Sequence, residues 1–228
     1  MGMGGPDYGV CDHYLGEKGE AYLAWQDAGG VLDGEIESRK FQRLIQPGDT
    51  VVDFGCGAGN LLRALRCTRR IGVEANPAAL ARCREAGIEA HADLAEVPDG
   101  IADVVVSNHA LEHVPAPIEA LRQLRTKLKP RGRLCLVLPI DDWRATRRYD
   151  PGDKNRHLYT WTPQLLGNAL SEAGFRVRSS DVWIRTHAWP KGHQFLYRHL
   201  PEPLFDLACR LYSMLLRRRE LAAVLEAP

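Results

Sequence analysis

The chain has 228 residues, 45% of them apolar and 26% charged, with a formal net charge of +1. Enough apolar material for a sizeable core excludes a disordered tail, and the charge balance argues against a general nucleic-acid binder. No apolar run approaches the roughly 18 residues of a membrane span. Six cysteines (Cys11, Cys56, Cys67, Cys83, Cys135, Cys209) form no C-x-x-C pair, and the opening residues carry no apolar leader. Reduced thiols and a cytoplasmic location are the expectation.

In chain order, residues 1–13 are rich in glycine and are expected to be mobile. Helices are predicted over 17–28 and 34–45, the second stopped by Gln46-Pro47-Gly48-Asp49. An α/β series follows. Its strands are expected at 50–54, 71–73, 88–91, 103–107 and 134–138. Its helices are expected at 60–67, 77–86 (with Pro77 in the first turn) and 115–128. Such alternation implies a doubly wound, mostly parallel sheet, with ligands beyond the C-terminal strand ends. Residues 141–156 form a long polar loop. A helix over 162–173, a strand over 175–186 and an amphipathic helix over 203–218 complete the chain. The last carries a stripe of Leu204, Ala208, Leu211 and Leu215, and ends at Arg217-Arg218-Arg219.

The most informative stretch is Val51-Val52-Asp53-Phe54-Gly55-Cys56-Gly57-Ala58-Gly59-Asn60. Glycines allow a tight turn and a close ligand. The spacing is G-x-G-x-G, and Asn60 stands where the dinucleotide fingerprint needs glycine. Asp53 ends the strand, where it would repel a pyrophosphate and attract an ammonium group. Glu74 ends the next strand, placed to accept ribose hydroxyls. A ribose with a cationic amino-acid tail and no phosphate describes S-adenosylmethionine.

This stretch resembles motif I of the class I S-adenosylmethionine-dependent methyltransferases. Ile71-Gly72-Val73-Glu74-Ala75-Asn76-Pro77, Ala92-Asp93-Leu94, the run from Asp103 to Val114, and Leu128-Lys129-Pro130-Arg131-Gly132 resemble the family's later motifs, in order. His157-Leu158-Tyr159 with Gly174-Phe175 resembles the branch acting on quinones, sugars and other metabolites. The resemblance implies a Rossmann-like α/β domain spanning 1–228. Residues 1–48 would be a helical lid, 49–186 the core, and 187–228 a C-terminal extension. It also implies roles. Asp53, Gly55, Cys56, Gly57 and Gly59 would hold the methionine part, Glu74 the ribose, and Asn76, Asp93 and Leu94 the adenine. Asn108 would pass beneath the sulfonium. In the lid, Tyr14 and Tyr22 would cover the cofactor, and Lys18 is a candidate partner for its carboxylate.

Methyl transfer from a sulfonium depends mainly on alignment, and a base is needed only for a poorly ionised acceptor. His109 and His157 are the candidates. The expected acceptor is an oxygen or nitrogen of a small molecule, because Ser107-Asn108-His109-Ala110 departs from the N-P-P-Y of DNA and protein amino-group methyltransferases. No metal and no nucleic-acid partner are expected. Three alternatives stand beside this reading. One is a nicotinamide-dependent oxidoreductase. Another is a zinc hydrolase using His109, Glu112 and His113, which match H-x-x-E-H. The third is a fold that has lost turnover. For the C-terminal helix, packing on its own core or in a homodimer is the first expectation. A substrate lid comes second, and weak contact with a membrane surface third.

Overall fold

The computed structural model describes residues 8–26, 29–140, 148–186 and 189–227. Two N-terminal helices, α1 (Gly16–Gln26) and α2 (Gly30–Gln42), lead into the sheet. Strands β1 (Thr50–Phe54), β2 (Arg69–Val73), β3 (Glu89–His91) and β4 (Ala102–Asn108) follow. Helices α3 (Asn60–Ala64) and α4 (Pro77–Glu85) lie between the first three. Helix α5 (Pro117–Lys127), strand β5 (Leu128–Ile140), helix α6 (Pro163–Glu172) and strand β6 (Val182–Thr186) come next. Helices α7 (His193–His199) and α8 (Glu202–Leu216) and strand β7 (Arg219–Glu226) end the chain. The seven strands form one sheet, ordered β3-β2-β1-β4-β5-β7-β6. Strands β1 to β5 pair in parallel, and β7 runs antiparallel to both β5 and β6. This is a Rossmann-like sheet, as expected from the strand–helix alternation.

The central strands form because they are apolar on both faces. Val51 and Val52 of β1 and Val104, Val105 and Val106 of β4 are all buried, as a parallel strand covered by helices on each side requires. Two apolar clusters result, one on each face of the sheet. Helix starts follow their caps. Asn76 accepts from the N–H groups of Ala78 and Ala79 ahead of α4, and Thr162 accepts from Leu165 ahead of α6.

Several boundaries differ from the sequence expectation. Helix α3 stops at Ala64 because the Arg70 guanidinium takes the carbonyls of Leu62 and Leu65. The strand expected over 175–186 is reduced to β6. Asp181 accepts the Arg178 N–H and returns its own to the Arg178 carbonyl, which bends the chain before Val182. Tyr8, expected in a mobile start, is buried against Phe54 at a 5.6 Å ring separation. Of the polar loop, 141–147 lie outside the described residues, and 148–156 form turns without helix or strand.

The largest correction concerns the C-terminus. The last residues form β7, inside the sheet, where the sequence suggested only an extension. Arg217 closes α8 in the left-handed region, at φ 55°, and reverses the chain. The predicted apolar stripe of that helix faces solvent: Leu204, Leu211 and Leu215 are exposed, whereas Phe205 and Ser213 are its buried residues. Packing of the stripe on its own core is therefore wrong.

Candidate active site

The glycine turn sits where β1 gives way to α3. The N–H groups of Gly55 and Cys56 both donate to the Val73 carbonyl, which ties the turn to the end of β2. Gly55, Gly57 and Gly59 all have positive φ, so glycine is required by the backbone itself. A Cβ on Gly55 would meet the Ala110 Cβ at 2.4 Å, whereas around Gly57 there is open space. Helix α2 rests directly on the start of α3, since a Cβ on Gly34 would meet the Asn60 backbone at 2.5 Å.

Two carboxylates face this turn. Glu74 accepts from the Gly57 N–H and the Asn76 N–H, each at 2.8 Å. Its burial raises its pKa, and these amides work against the rise. Asp53 is almost fully buried, and burial first, then the nearby Glu74, pushes its pKa up to about 7. Such a group gains by a cation placed beside it. Asn76 spends its side chain on capping α4 and on donating to the Gly19 carbonyl at 2.8 Å, which anchors α1.

Two cavities meet here. The inner cleft is lined by Tyr8, Tyr14, Tyr22, Phe54, Glu74, Asn76 and His113; the outer cavity by Asp53, Cys56, Asn108, His157 and Trp189. Gly55, Gly57 and His109 line both. Asp93 and Leu94 line neither. Asp93 caps a short turn through the Ala95 N–H, and the Leu94 N–H donates to the Tyr8 hydroxyl at 3.3 Å. Lys18 is exposed and also lines neither. Cys56 turns its thiol into the core, 3.8 Å from the Cys83 sulfur.

His109 and His157 lie in different settings. His109 leaves β4 at φ 54°, an uncommon conformation for a non-glycine residue. Its N–H bonds the Val137 carbonyl, and its Nε2 is 2.9 Å from Oε1 of buried Glu220 on β7. Lys40 of α2, only 4% exposed, joins Glu220 at 2.8 Å, Glu37 at 2.6 Å and Asn108 at 3.4 Å. Asn108 donates in turn to Glu37 at 2.6 Å. Lys40, Glu37 and Glu220 were missed by sequence reasoning. A lysine in a charged helix and a glutamate after three arginines carry no local sign that they meet.

His157 stands beside His113, with ring centres 5.0 Å apart. Burial first, then His157, lowers the pKa of His113 to about 4. The Tyr14 hydroxyl is 2.6 Å from His113 Nδ1. The zinc-hydrolase alternative fails on geometry. The pentapeptide forms a short 3-10 turn, Leu111–His113, and His109 points away to Glu220. Among the described residues, the set that brings a ligand atom each within 4.8 Å is Glu112, His113 and His157, without His109.

Comparison with known proteins decides the family. A methyltransferase domain family matches residues 30–180. The chain belongs to the S-adenosylmethionine-dependent methyltransferases. Ribosomal protein L11 methyltransferase of Burkholderia mallei is 34% identical over 104 residues, covering 42% of this chain and 33% of that relative. The chain thus matches about a third of the length of that curated relative. A methyltransferase structure from Archaeoglobus fulgidus superposes with a TM-score of 0.64 at 19% identity, covering 90% of this chain and 99% of that one. Phosphoethanolamine N-methyltransferase 2 of Haemonchus contortus, in complex with S-adenosylhomocysteine, gives 0.57 at 14% identity, covering 86% and 53%. These two likenesses show the fold. The donor that this family membership implies is S-adenosylmethionine.

The residues present suit that donor. The open space at Gly57 leaves room for a ligand against the backbone, and Asp53 suits an ammonium group. Glu74 keeps acceptor capacity, since a carboxylate offers about four acceptor positions.

Proposed function

We propose that this methyltransferase acts on an oxygen or nitrogen of a small molecule that enters through the outer cavity. Asp53 and the glycine turn hold the amino-acid part of the donor, and Glu74 holds its ribose. Bound S-adenosylmethionine supplies an electrophilic methyl group. The observation that carries the reading is the position of His109, on the wall shared by both cavities and held by Glu220.

Glu220 accepts from the His109 Nε2–H, which fixes the ring and leaves Nδ1 as the acceptor. His109 Nδ1 would take the acceptor's proton as the methyl group passes from the donor's sulfur, which keeps the bonding pair, to the acceptor's oxygen or nitrogen. His157, which also lines the outer cavity, is the second candidate for that proton. Lys40 and Glu37 hold Asn108, which would lie beneath the donor's sulfonium. A concave, partly apolar cavity supports a small acceptor over a protein surface. The net charge of +1 supports no nucleic-acid partner. Six free cysteines support a cytoplasmic location.

Calorimetric titration of S-adenosylmethionine and S-adenosylhomocysteine, with NADH as control, tests the donor site. Micromolar binding is expected for both adenosyl ligands, strongly weakened in Glu74→Ala and absent for NADH. No adenosyl binding to the folded protein overturns the reading. The base is tested by replacing His109 and His157 with alanine together. Undiminished turnover across pH would remove both from the mechanism.

A further inference from the structure

Helix α8 wears its apolar side outward. Leu204, Leu207, Leu211, Met214 and Leu215 fall at the spacing that puts them on one face, and they are 51%, 50%, 57%, 65% and 79% exposed. The opposite face is the one that packs, through Phe205 and Ser213. Single exposed leucines are ordinary, but a five-residue ridge along one helix is an interaction surface.

Charge says what covers it. The acids of α8 lie on the side away from the ridge, where Glu202 and Asp206, 61% and 42% exposed, pair with Arg39 at 2.7 Å and 2.9 Å. Arg210, Arg217, Arg218 and Arg219 remain exposed around the ridge. Apolar side chains rimmed by cations match an anionic bilayer surface. A second copy docked with the two α8 helices parallel would instead set these arginines against their own images. The end of the helix and the turn into β7, Leu216 to Arg219, also line the outer cavity.

We propose that α8 lies on an anionic bilayer with its leucines in the interface, and that this puts the mouth of the outer cavity at the lipid boundary. The acceptor class is then an amphiphile presented by the bilayer, which rests on the methyl-transfer reading above. Flotation of the full chain with phosphatidylcholine vesicles, with and without phosphatidylglycerol, tests the docking. Binding is expected only with the anionic lipid, and it should fall with salt. L211E/L215E should lower it by about tenfold or more, on the scale of removing inserted aliphatic side chains. Arg210→Glu should weaken it less.

The melting temperature and S-adenosylhomocysteine affinity of both variants should equal those of the wild type, so a failed donor site and a failed docking surface are distinguishable. No flotation at low salt, or equal flotation of L211E/L215E, overturns the docking. A wild-type dimer that L211E/L215E splits, seen by light scattering, also overturns it. With vesicles of total membrane lipid and methyl-tritiated donor, label should enter the organic phase. Label confined to the aqueous phase with vesicles bound overturns the acceptor class.

Discussion

The two walls of the cleft hold their charges in different ways. On the wall proposed to hold the donor, called here the donor wall, the partners are backbone groups. Glu74 takes the amides of Gly57 and Asn76, and Asn76 takes those of Ala78 and Ala79. On the wall proposed to face the acceptor, called here the acceptor wall, the partners are other side chains. Lys40, Glu37, Asn108, His109 and Glu220 come from α2, β4 and β7, and Lys40 and Glu220 are 180 positions apart. Backbone partners survive substitution of the residue that supplies them. A side-chain network depends on every member, because each loss leaves a buried charge uncompensated.

That contrast makes Lys40→Met the most damaging change expected. It leaves Glu220 and Glu37 without their shared cation, at a cost of about 3–5 kcal/mol. Urea denaturation measures it. A loss below about 1 kcal/mol would show that the acceptor wall is no tighter than a surface ion pair.

The donor wall is broken through its backbone. Gly55→Ala drives a methyl group to 2.4 Å from Ala110 and holds alanine at φ 77°. A destabilisation of roughly 2–4 kcal/mol is expected from crowding and strain together. Gly57→Ala meets open space, so only strain of about 1 kcal/mol remains. It should nevertheless weaken S-adenosylhomocysteine binding, because its methyl enters the ligand's space. Thermal melts and titrations of the pair separate the two effects. Equal destabilisation of both variants would remove the distinction.

The same contrast explains what the sequence made legible. Strands β1 to β4, the glycine turn, Asp53 and Glu74 were readable because their geometry is local. A short apolar run, a positive-φ turn and a strand-end acid each specify their own conformation. Strand β7 was not, because Glu-Leu-Ala-Ala-Val-Leu after three arginines suits a helix as well as a strand, and only pairing with β5 and β6 decides it. Glu220 was lost with that strand, and with it the partner of His109. The H-x-x-E-H match failed for a related reason. Its helical geometry was assumed, whereas His109 leaves the strand at positive φ and is drawn to Glu220.

Protons give the mildest test, and two buried groups of the site should answer it with opposite signs. Asp53, raised from its ordinary 3.8 to about 7, binds more protons folded than unfolded between those values. Its contribution to stability is complete below 3.8 and is lost as pH rises through about 7. His113, lowered from 6.5 to about 4, binds fewer protons folded than unfolded in that window. Its contribution is present above 6.5 and is lost as pH falls through about 4. Each slope approaches about 1.4 kcal/mol per pH unit at most, and the two oppose each other between pH 4 and 6.5. Asp53→Asn should therefore leave stability rising with pH across that window, and His113→Gln should leave it falling. Donor binding adds an asymmetry that stability lacks. A ligand ammonium favours ionised Asp53, so S-adenosylhomocysteine affinity should fall below pH 7, by up to about tenfold per unit, with proton release on binding. Calorimetry in buffers of different ionisation enthalpy reads that release directly. Asp53→Asn should abolish the release and His113→Gln should keep it. The reverse pattern would show that Asp53 is not the group that releases the proton.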